Sequence, residues 1–433
     1  MKKSTVCKPM FVLKSLCFVM VFASCVQDKM TDLAVPPIAD LGYETNNVTE
    51  GEKYLPAEKG KQVTGQYIVQ LKDEFIMPGA LVDTLSKSGR EDQAKSAESR
   101  QNASGREIQH LMTEFGLSNK KSTQIYTEAI SGFATELTGE EVKRLLADDR
   151  VLSVAEDFMV DLDVPEIQLL ADMPEAQMKP CGITRHNGSN AGPTSKWIWI
   201  VDSGIFQHAD LNVVTNSTYA RSFVDGYPFY DCSGHGTHVA GTAAAKNNSF
   251  GVVGMSPGAS VVPVKVFGCG QSPASTILAG INHVAIYDEP GDVCNLSLGG
   301  YFGPNCSNYS PYSNAVKNMA ASGTRVVIAS GNDGQDANYF APGCINATRI
   351  YTVANMDCNN QWNWSSNYGV GPVDWIAVGT NVLSTLPNNQ YGYMSGTSMS
   401  APHVSGIVHV RQNAPAQCGW VYRYNVGYKV ACR

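Results

Sequence analysis

The chain has 433 residues, of which 43% are hydrophobic and only 16% charged, with a formal net charge of −7. A mostly disordered protein is excluded, because disorder needs few apolar side chains and a large net charge. The 40 Gly and 21 Pro follow no three-residue period, which excludes collagen, and without a long Lys/Arg run no nucleic-acid partner is expected.

Lys2, Lys3, Lys8 and Lys14 precede an apolar run from Leu16 to Ala23, the charge-then-apolar order of an export signal. The run is too short for an ordinary membrane span. It ends Phe22-Ala23-Ser24-Cys25, which resembles a bacterial lipoprotein signal, although Phe22 stands where Leu is usual. Residues 1–25 therefore read as an export signal of lipoprotein type with Cys25 as the lipidation site; plain secretion with cleavage nearby is the alternative. Either way the chain leaves the reducing cytoplasm, and disulfides become permissible.

Residues 26–65 read as a polar tether containing Pro36-Pro37. From Gln66 to Leu71 the pattern alternates like a half-buried strand. Lys87 to Arg106 is charged and Ser-rich, a solvated loop or frayed helix, and Glu107 to Phe115 fits a short amphipathic helix. Ile130 to Leu137 alternates again. Thr138-Gly-Glu-Glu141 fits a capping box opening a helix to Leu146, and Val151 to Ala155 is a further strand. Residues 66–163 thus form a small α/β sandwich with no Cys and no catalytic constellation. Residues 164–179 are a linker.

Residues 180–433 have a different character. Trp197–Val201, Val261–Val266, Val293–Leu298, Arg325–Ala329 and Ile350–Ala354 read as buried strands, with helical patterns at Ser275–Tyr287 and Tyr312–Ser322. Alternating strands and helices imply a parallel sheet covered on both faces. In such sheets ligands bind beyond the carboxyl ends of the strands.

Asp202 follows the apolar run WIWIV, at the end of a central strand. His235 opens a Gly-flanked turn running into a helix, and Ser398 lies in Ser395-Gly-Thr-Ser-Met-Ser-Ala-Pro402 before another helical stretch. A serine hydroxyl needs an adjacent base. Neutral imidazole can take its proton near pH 7, and a buried carboxylate fixes the imidazole tautomer. His235 and His238 are three apart, but no HExxH glutamate or Cys pair completes a zinc site. His208, His238 and His403 read as structural.

The order Asp, His, Ser is that of subtilisin, and the chain resembles the subtilase family of subtilisin- and proteinase K-like serine endopeptidases. The resemblance rests on VDSGI around Asp202, DCSGHGTHVAGT around His235, NLSLGG from Asn295, ASGNDG around Asn332, SNYG from Ser366 and SGTSMSAPHVSG around Ser398. It implies a three-layer α/β fold with a parallel central sheet. It also implies that residues 66–163, similar to the family's propeptide, act as folding chaperone and intramolecular inhibitor. Asn332 matches the oxyanion-hole asparagine, whose removal in subtilisin costs roughly 100- to 1,000-fold in rate. Ser297, Leu298, Gly299 and Gly300 with Ala329, Ser330 and Gly331 match the walls of the primary specificity pocket. With no acid evident at its base, an apolar or aromatic side chain is expected before the scissile bond.

The resemblance also implies a disulfide between Cys232 and Cys269. The mature part holds nine cysteines, an odd number. Cys294, in a buried strand, is the candidate free thiol, and Cys418–Cys432 is a guess among the remaining pairings. The chemistry needs no cofactor. Structural calcium is the family's usual ion, and Asp374 stands where a ligand carboxylate is expected, with carbonyls near Thr348 and Ile350. After Gly406 the chain departs from the family: His409 and Arg411 interrupt a helix expected to run through the core, and a buried unpaired Arg would be costly.

The sequence therefore reads as an exported or surface-attached, self-processing serine endopeptidase of broad specificity. Its expected partners are protein and peptide substrates and its own propeptide, with a possible lipid anchor to the membrane before processing, and the expected state is a monomer. Processing should fall between Val160 and Ala176, and activity should fall below about pH 6 as His235 protonates. The alternative is a catalytically inactive subtilase-like binding protein.

Overall fold

The computed structural model describes residues 53–56, 62–76, 90–171, 174, 176–303 and 310–433. The export-signal and Cys25 expectations lie outside these residues, as does Cys306. No helix among the described residues is long and apolar enough to cross a membrane.

The first layer system runs β1 (Gln62–Leu71), α1 (Arg90–Glu114), β2 (Gln124–Tyr126), β3 (Ser131–Glu136), α2 (Gly139–Ala147) and β4 (Val151–Val160). The strands pair antiparallel in the order β4-β1-β3-β2. At the start of α2, Thr138 Oγ1 accepts the Glu141 N–H while the Glu141 carboxylate accepts the Thr138 N–H. This closed box satisfies two donors that a helix start otherwise leaves open.

The structure refines two local expectations. From Arg90 the charged run takes the helical of its two readings, and it joins the following segment in one 25-residue helix, α1. Its buried positions Ala94, Ala97, Ser104, Ile108, Leu111 and Met112 fall on one helical face. The N-terminal half of that face is built from small residues, so composition alone reads it as polar, yet Ala is the best helix former. In β3, five of six residues are buried rather than every second one. The sheet is covered on both faces: Val69, Leu71 and Phe133 join α1 and α2 in one apolar cluster, whereas Ile68 and Ala134 join a cluster of the catalytic region.

That region is built on β5 (Trp197–Asp202), α3 (His235–Ala244), β6 (Ser260–Lys265), α4 (Ala274–Tyr287), β7 (Val293–Leu296), α5 (Ser310–Ala321), β8 (Arg325–Ala329), β9 (Ile350–Met356), β10 (Trp375–Val378), α6 (Thr397–Arg411), β11 (Ala416–Arg423) and β12 (Val426–Cys432). The sheet order is β11-β12-β10-β9-β8-β7-β5-β6, parallel throughout except for the β11–β12 hairpin. Alternation along β5 decides the layers. Ile198 and Ile200 pack with Val239 and Val404 of α3 and α6, and Trp199 and Val201 pack with Ile277 and Val316 of α4 and α5. A strand buried on both faces reads as one continuous apolar run.

The segment expected as a linker is partly ordered into the fold: Gln168 and Leu169 pair antiparallel with Tyr393 and Gly392. The divergent C-terminus also has a place. Helix α6 ends at Arg411, with Gln412 in the left-handed conformation (φ 52°). Arg411 is exposed, and its Nε donates to the Ala414 carbonyl at 2.8 Å, so this arginine is neither buried nor unpaired. His409 is fully buried; its Nε2 donates to the Lys196 carbonyl at 2.9 Å and its Nδ1 accepts from Ser256 Oγ at 2.8 Å. Burial pushes its pKa down, favouring the neutral ring those bonds require. The remaining residues form β11 and β12, and β12 joins the sheet beside β10 at Val430.

Cys181–Cys358, Cys232–Cys269 and Cys418–Cys432 are disulfides, Cys344 is also disulfide-bonded, and Cys294 is a buried free thiol in β7. The Cys181–Cys358 pairing had no signal in the sequence. The Cys418–Cys432 bond closes a short loop of separation 14 on an edge hairpin. Replacing both cysteines by Ser is expected to cost about 3 kcal/mol of stability, measurable as a lowered denaturant midpoint.

Candidate active site

The site lies at the carboxyl ends of the parallel strands. Asp202 ends β5 with no exposed surface. Its Oδ1 accepts the Ser203 N–H at 2.7 Å and His235 Nδ1–H at 2.8 Å, with Ser203 Oγ at 3.1 Å. His235 is the first residue of α3. The helix approaches β5 so closely that a Cβ on Gly236 would lie 2.1 Å from the Gly204 carbonyl oxygen, so glycine is needed there.

Asp231 holds the helix start. Its Oδ1 accepts the N–H groups of Ser233 and Gly234, both at 3.0 Å, and its Oδ2 accepts the Thr237 N–H at 2.9 Å and hydroxyl at 2.6 Å. Sequence reasoning missed this residue, although it stands in the quoted segment four positions before His235. Burial alone would push the His235 pKa down. The Asp202 carboxylate, with Asp231 and Asp163 adding to it, outweighs burial and holds the pKa above the ordinary histidine value. His235 Nε2 is buried with no hydrogen-bond partner.

Ser398 is the second residue of α6, so its N–H is among the first donors that have no intrahelical carbonyl. Pro402 sits inside this helix rather than in its first turn, and its missing N–H leaves the Ser398 carbonyl without its usual i+4 donor. Ser297 Oγ takes that place at 2.8 Å, while Ser398 Oγ donates to the Ser297 carbonyl at 3.2 Å. Asn332 follows Gly331, whose φ is +102° and whose added Cβ would lie 2.2 Å from Asn367 Nδ2. Asn332 Oδ1 accepts the Thr397 N–H at 2.8 Å and hydroxyl at 3.0 Å, which fixes the amide so that Nδ2 points outward.

That Nδ2 donates to the Asp163 carboxylate at 2.8 Å. Asp163 comes from the N-terminal unit, 169 residues away, and no local pattern announces the contact. Met159 and Val160 pair antiparallel with Pro273 and Ser272, so β4 leads the chain into the cleft. There a cavity of about 360 Å3 is lined by Ser297, Leu298, Gly299 and Gly300 on one wall and by Ala329, Ser330 and Gly331 on the other, with Asn332 and Ser398 between. Asp333 also lines it, as do Asp161 and Asp163 of the N-terminal segment that enters the cleft.

The other predicted residues lie elsewhere. His238 Nε2 contacts the Val382 and Gly392 carbonyls, His208 Nε2 contacts the Gln390 carbonyl, and His403 Nδ1 contacts the Met399 carbonyl. Ser395 Oγ accepts the Asn381 N–H, and Ser400 Oγ donates to the Ala377 carbonyl. Asp374 Oδ2 accepts the Thr352 N–H at 2.9 Å, burial raises its pKa to about 6, and among the described residues no cluster of three His, Cys, Asp or Glu side chains is present. A hard dication needs several oxygen ligands and an ionised carboxylate, so no step is routed through calcium.

A buried carboxylate on an imidazole, a helix-borne serine whose hydroxyl bonds Ser297 rather than His235, and a fixed amide donor are the parts of a serine hydrolase site. Residues 196–422 match the subtilase family and residues 66–163 match peptidase inhibitor I9. The chain is 37% identical over 298 residues to M-protease of Shouchella clausii, spanning 67% of this chain and 71% of that protein. It is 39% identical over 250 residues to subtilisin BL of Lederbergia lenta, spanning 56% and 87%. A solved structure of proteases from Pseudoalteromonas arctica is 32% identical, covering 51% of this chain and 78% of that one, with a TM-score of 0.43. The chain belongs to the subtilase family and is a subtilisin-like serine endopeptidase preceded by an I9-type propeptide.

A raised His235 pKa keeps the imidazolium present to higher pH, and only the neutral ring accepts a proton. Asp202 and Asp231, which raise that pKa more than Asp163 does, remain after processing, so the acid limb of kcat/KM is expected above the ordinary histidine value of 6.5, falling tenfold per pH unit below it. A pH–rate profile on a peptide substrate measures this; activity that is flat down to pH 5 contradicts it.

Proposed function

We propose that the chain is exported as a self-processing zymogen and, once processed, hydrolyses peptide bonds in proteins. Ser398 Oγ attacks the scissile carbonyl carbon while His235 Nε2 takes its proton. Asp202 holds the ring tautomer and stabilises the imidazolium. The oxyanion is received by Asn332 Nδ2 and the Ser398 N–H. Collapse expels the amine, which takes the proton from His235, and water then releases the acyl group by the same steps in reverse. The observation that carries this reading is the buried Asp202–His235 bond at 2.8 Å, with Nε2 left free for a proton.

Leu298, Ala329, Phe340 and Ala341 give the cavity apolar surface, which supports a preference for apolar or aromatic side chains before the scissile bond. The zymogen reading is supported by the route of the N-terminal unit through the cleft. In the continuous chain a side-chain carboxylate, not a peptide carbonyl, occupies the Asn332 donor, and Ser398 Oγ is turned to Ser297. If Cys25 is lipidated, cleavage in residues 160–176 releases the catalytic region from its anchor.

Ser398→Ala is expected to lower kcat by roughly 10^4- to 10^6-fold and to abolish labelling by a fluorophosphonate probe. Failure of the unmodified, processed chain to label would favour the inactive binding protein. Asp163→Ala frees the Asn332 donor, and self-processing followed by mass spectrometry is expected to run several-fold faster than in the parent; slower processing contradicts the blocking role.

A further inference from the structure

The docking of α1 involves a cluster that the catalytic mechanism does not use. Its first residue, Arg90, reaches the catalytic region at the amino ends of β5 and β7, the opposite end of the sheet from Asp202. Five residues of strand separate Trp197 from Asp202, about 16 Å. Arg90 Nη1 and Nη2 donate to Asp292 Oδ2 and Oδ1, both at 2.9 Å, in a bidentate pair. Nη2 also reaches Glu289 Oε2 at 3.3 Å and the Ser195 carbonyl at 3.2 Å. The guanidinium plane lies 3.8 Å from the Trp197 ring centre. A planar fork on a carboxylate with an aromatic face beneath it suits guanidinium and not a point-charge ammonium.

The receiving groups are held independently of Arg90. Asp292 Oδ1 accepts the Trp197 N–H at 2.9 Å, and its Oδ2 accepts Trp199 Nε1–H at 2.9 Å and the Glu289 N–H at 3.1 Å. Asp292 has no exposed surface. The Trp197 ring is set edge-on against Tyr219, with centroids 4.9 Å apart. Lys196 Nζ pairs with Glu289 Oε2 at 3.0 Å, so one carboxylate charge remains for the incoming cation.

We propose that the catalytic region carries a preformed arginine-recognition site, made by Asp292, Glu289 and Trp197, which docks Arg90 of the propeptide in the unprocessed chain. The propeptide is then clamped at both ends of the sheet, by β4 in the catalytic cleft and by Arg90 at the far end. Its description as a zymogen clamp rests on the proposed function; the site itself does not.

The test uses the full chain carrying Ser398→Ala, so it is independent of catalysis. With Arg90→Ala, amide hydrogen exchange in the first turns of α1 is expected to quicken about tenfold, and Arg90→Lys is not expected to restore protection. Methylguanidinium is expected to change tryptophan fluorescence saturably in the Arg90→Ala chain and not in the Arg90 parent, which shares the same catalytic cleft. Full protection by Lys, unchanged exchange in Arg90→Ala, or the same methylguanidinium response in both chains overturns the proposal. A parent enzyme with an intact Ser398 that never cleaves itself would overturn the proposed function instead, and leave these readouts standing.

Discussion

A carboxylate with no exposed surface, at the end of a central strand, is the constraint around which the catalytic region is arranged. An isolated buried charge is costly unless it is paired and hydrogen-bonded. Asp202 Oδ1 receives a backbone N–H and an imidazole N–H. Lys265 stands beside it in register on β6, fully buried, with Asp202 and Asp231 opposing the depression of its pKa by burial. Asp231 in turn draws on Ser203, Ser233, Gly234 and Thr237. Asp202 Oδ1 and both Asp231 oxygens are held by groups that also fix where His235 begins its helix, while Asp202 Oδ2 is buried without a hydrogen-bond partner. The desolvation that makes the cluster expensive also makes its geometry single-valued, because any displacement strands a buried charge.

The same logic extends to the serine. Pro402 removes a helix donor within hydrogen-bond reach of the nucleophile's own carbonyl, and Ser297 replaces it from a different strand end. The wall of the substrate cavity and the turn carrying Ser398 are therefore tied by a reciprocal pair of bonds. A helix break that local propensity would penalise becomes the means by which β7 positions α6. Proline in a helix interior costs about 3 kcal/mol or more when nothing compensates, so Ser297 has a structural role beside its place in the pocket.

Much of this was legible in the sequence, for identifiable reasons. WIWIV reads as a strand buried on both faces because each side chain meets a covered layer. The capping box of α2 is a contact between near neighbours, so its spacing suffices. By contrast, the first half of α1 hides its buried stripe in Ala and Ser. The Asp163–Asn332 and Arg90–Asp292 contacts join residues 169 and 202 positions apart. Nothing local distinguishes these acids and this arginine from solvated ones. Asp333 escaped notice because it follows Asn332 in what reads as a simple turn, whereas the cavity takes it as lining. The tail was hardest: His409 looked like a break in a core helix, yet a neutral imidazole with a donor partner and an acceptor partner can be buried at low cost.

The two roles proposed for the propeptide, in folding and in inhibition, share one feature of its sheet. Because Ile68, Ala134 and Ala155 share an apolar cluster with α4 and α5, the unprocessed chain folds these layers against each other. The catalytic region's parallel sheet depends on contacts distant in sequence, which are slow to assemble. A preceding unit whose sheet packs on α4 and α5 can offer them a surface before that parallel sheet is complete. The same sheet leads, through β4, directly into the cleft. Asp163 also adds to the acids that favour the His235 imidazolium. While it is in place it both covers the Asn332 donor and holds the base closer to its inactive, protonated form, so its departure relieves two obstacles to catalysis at once.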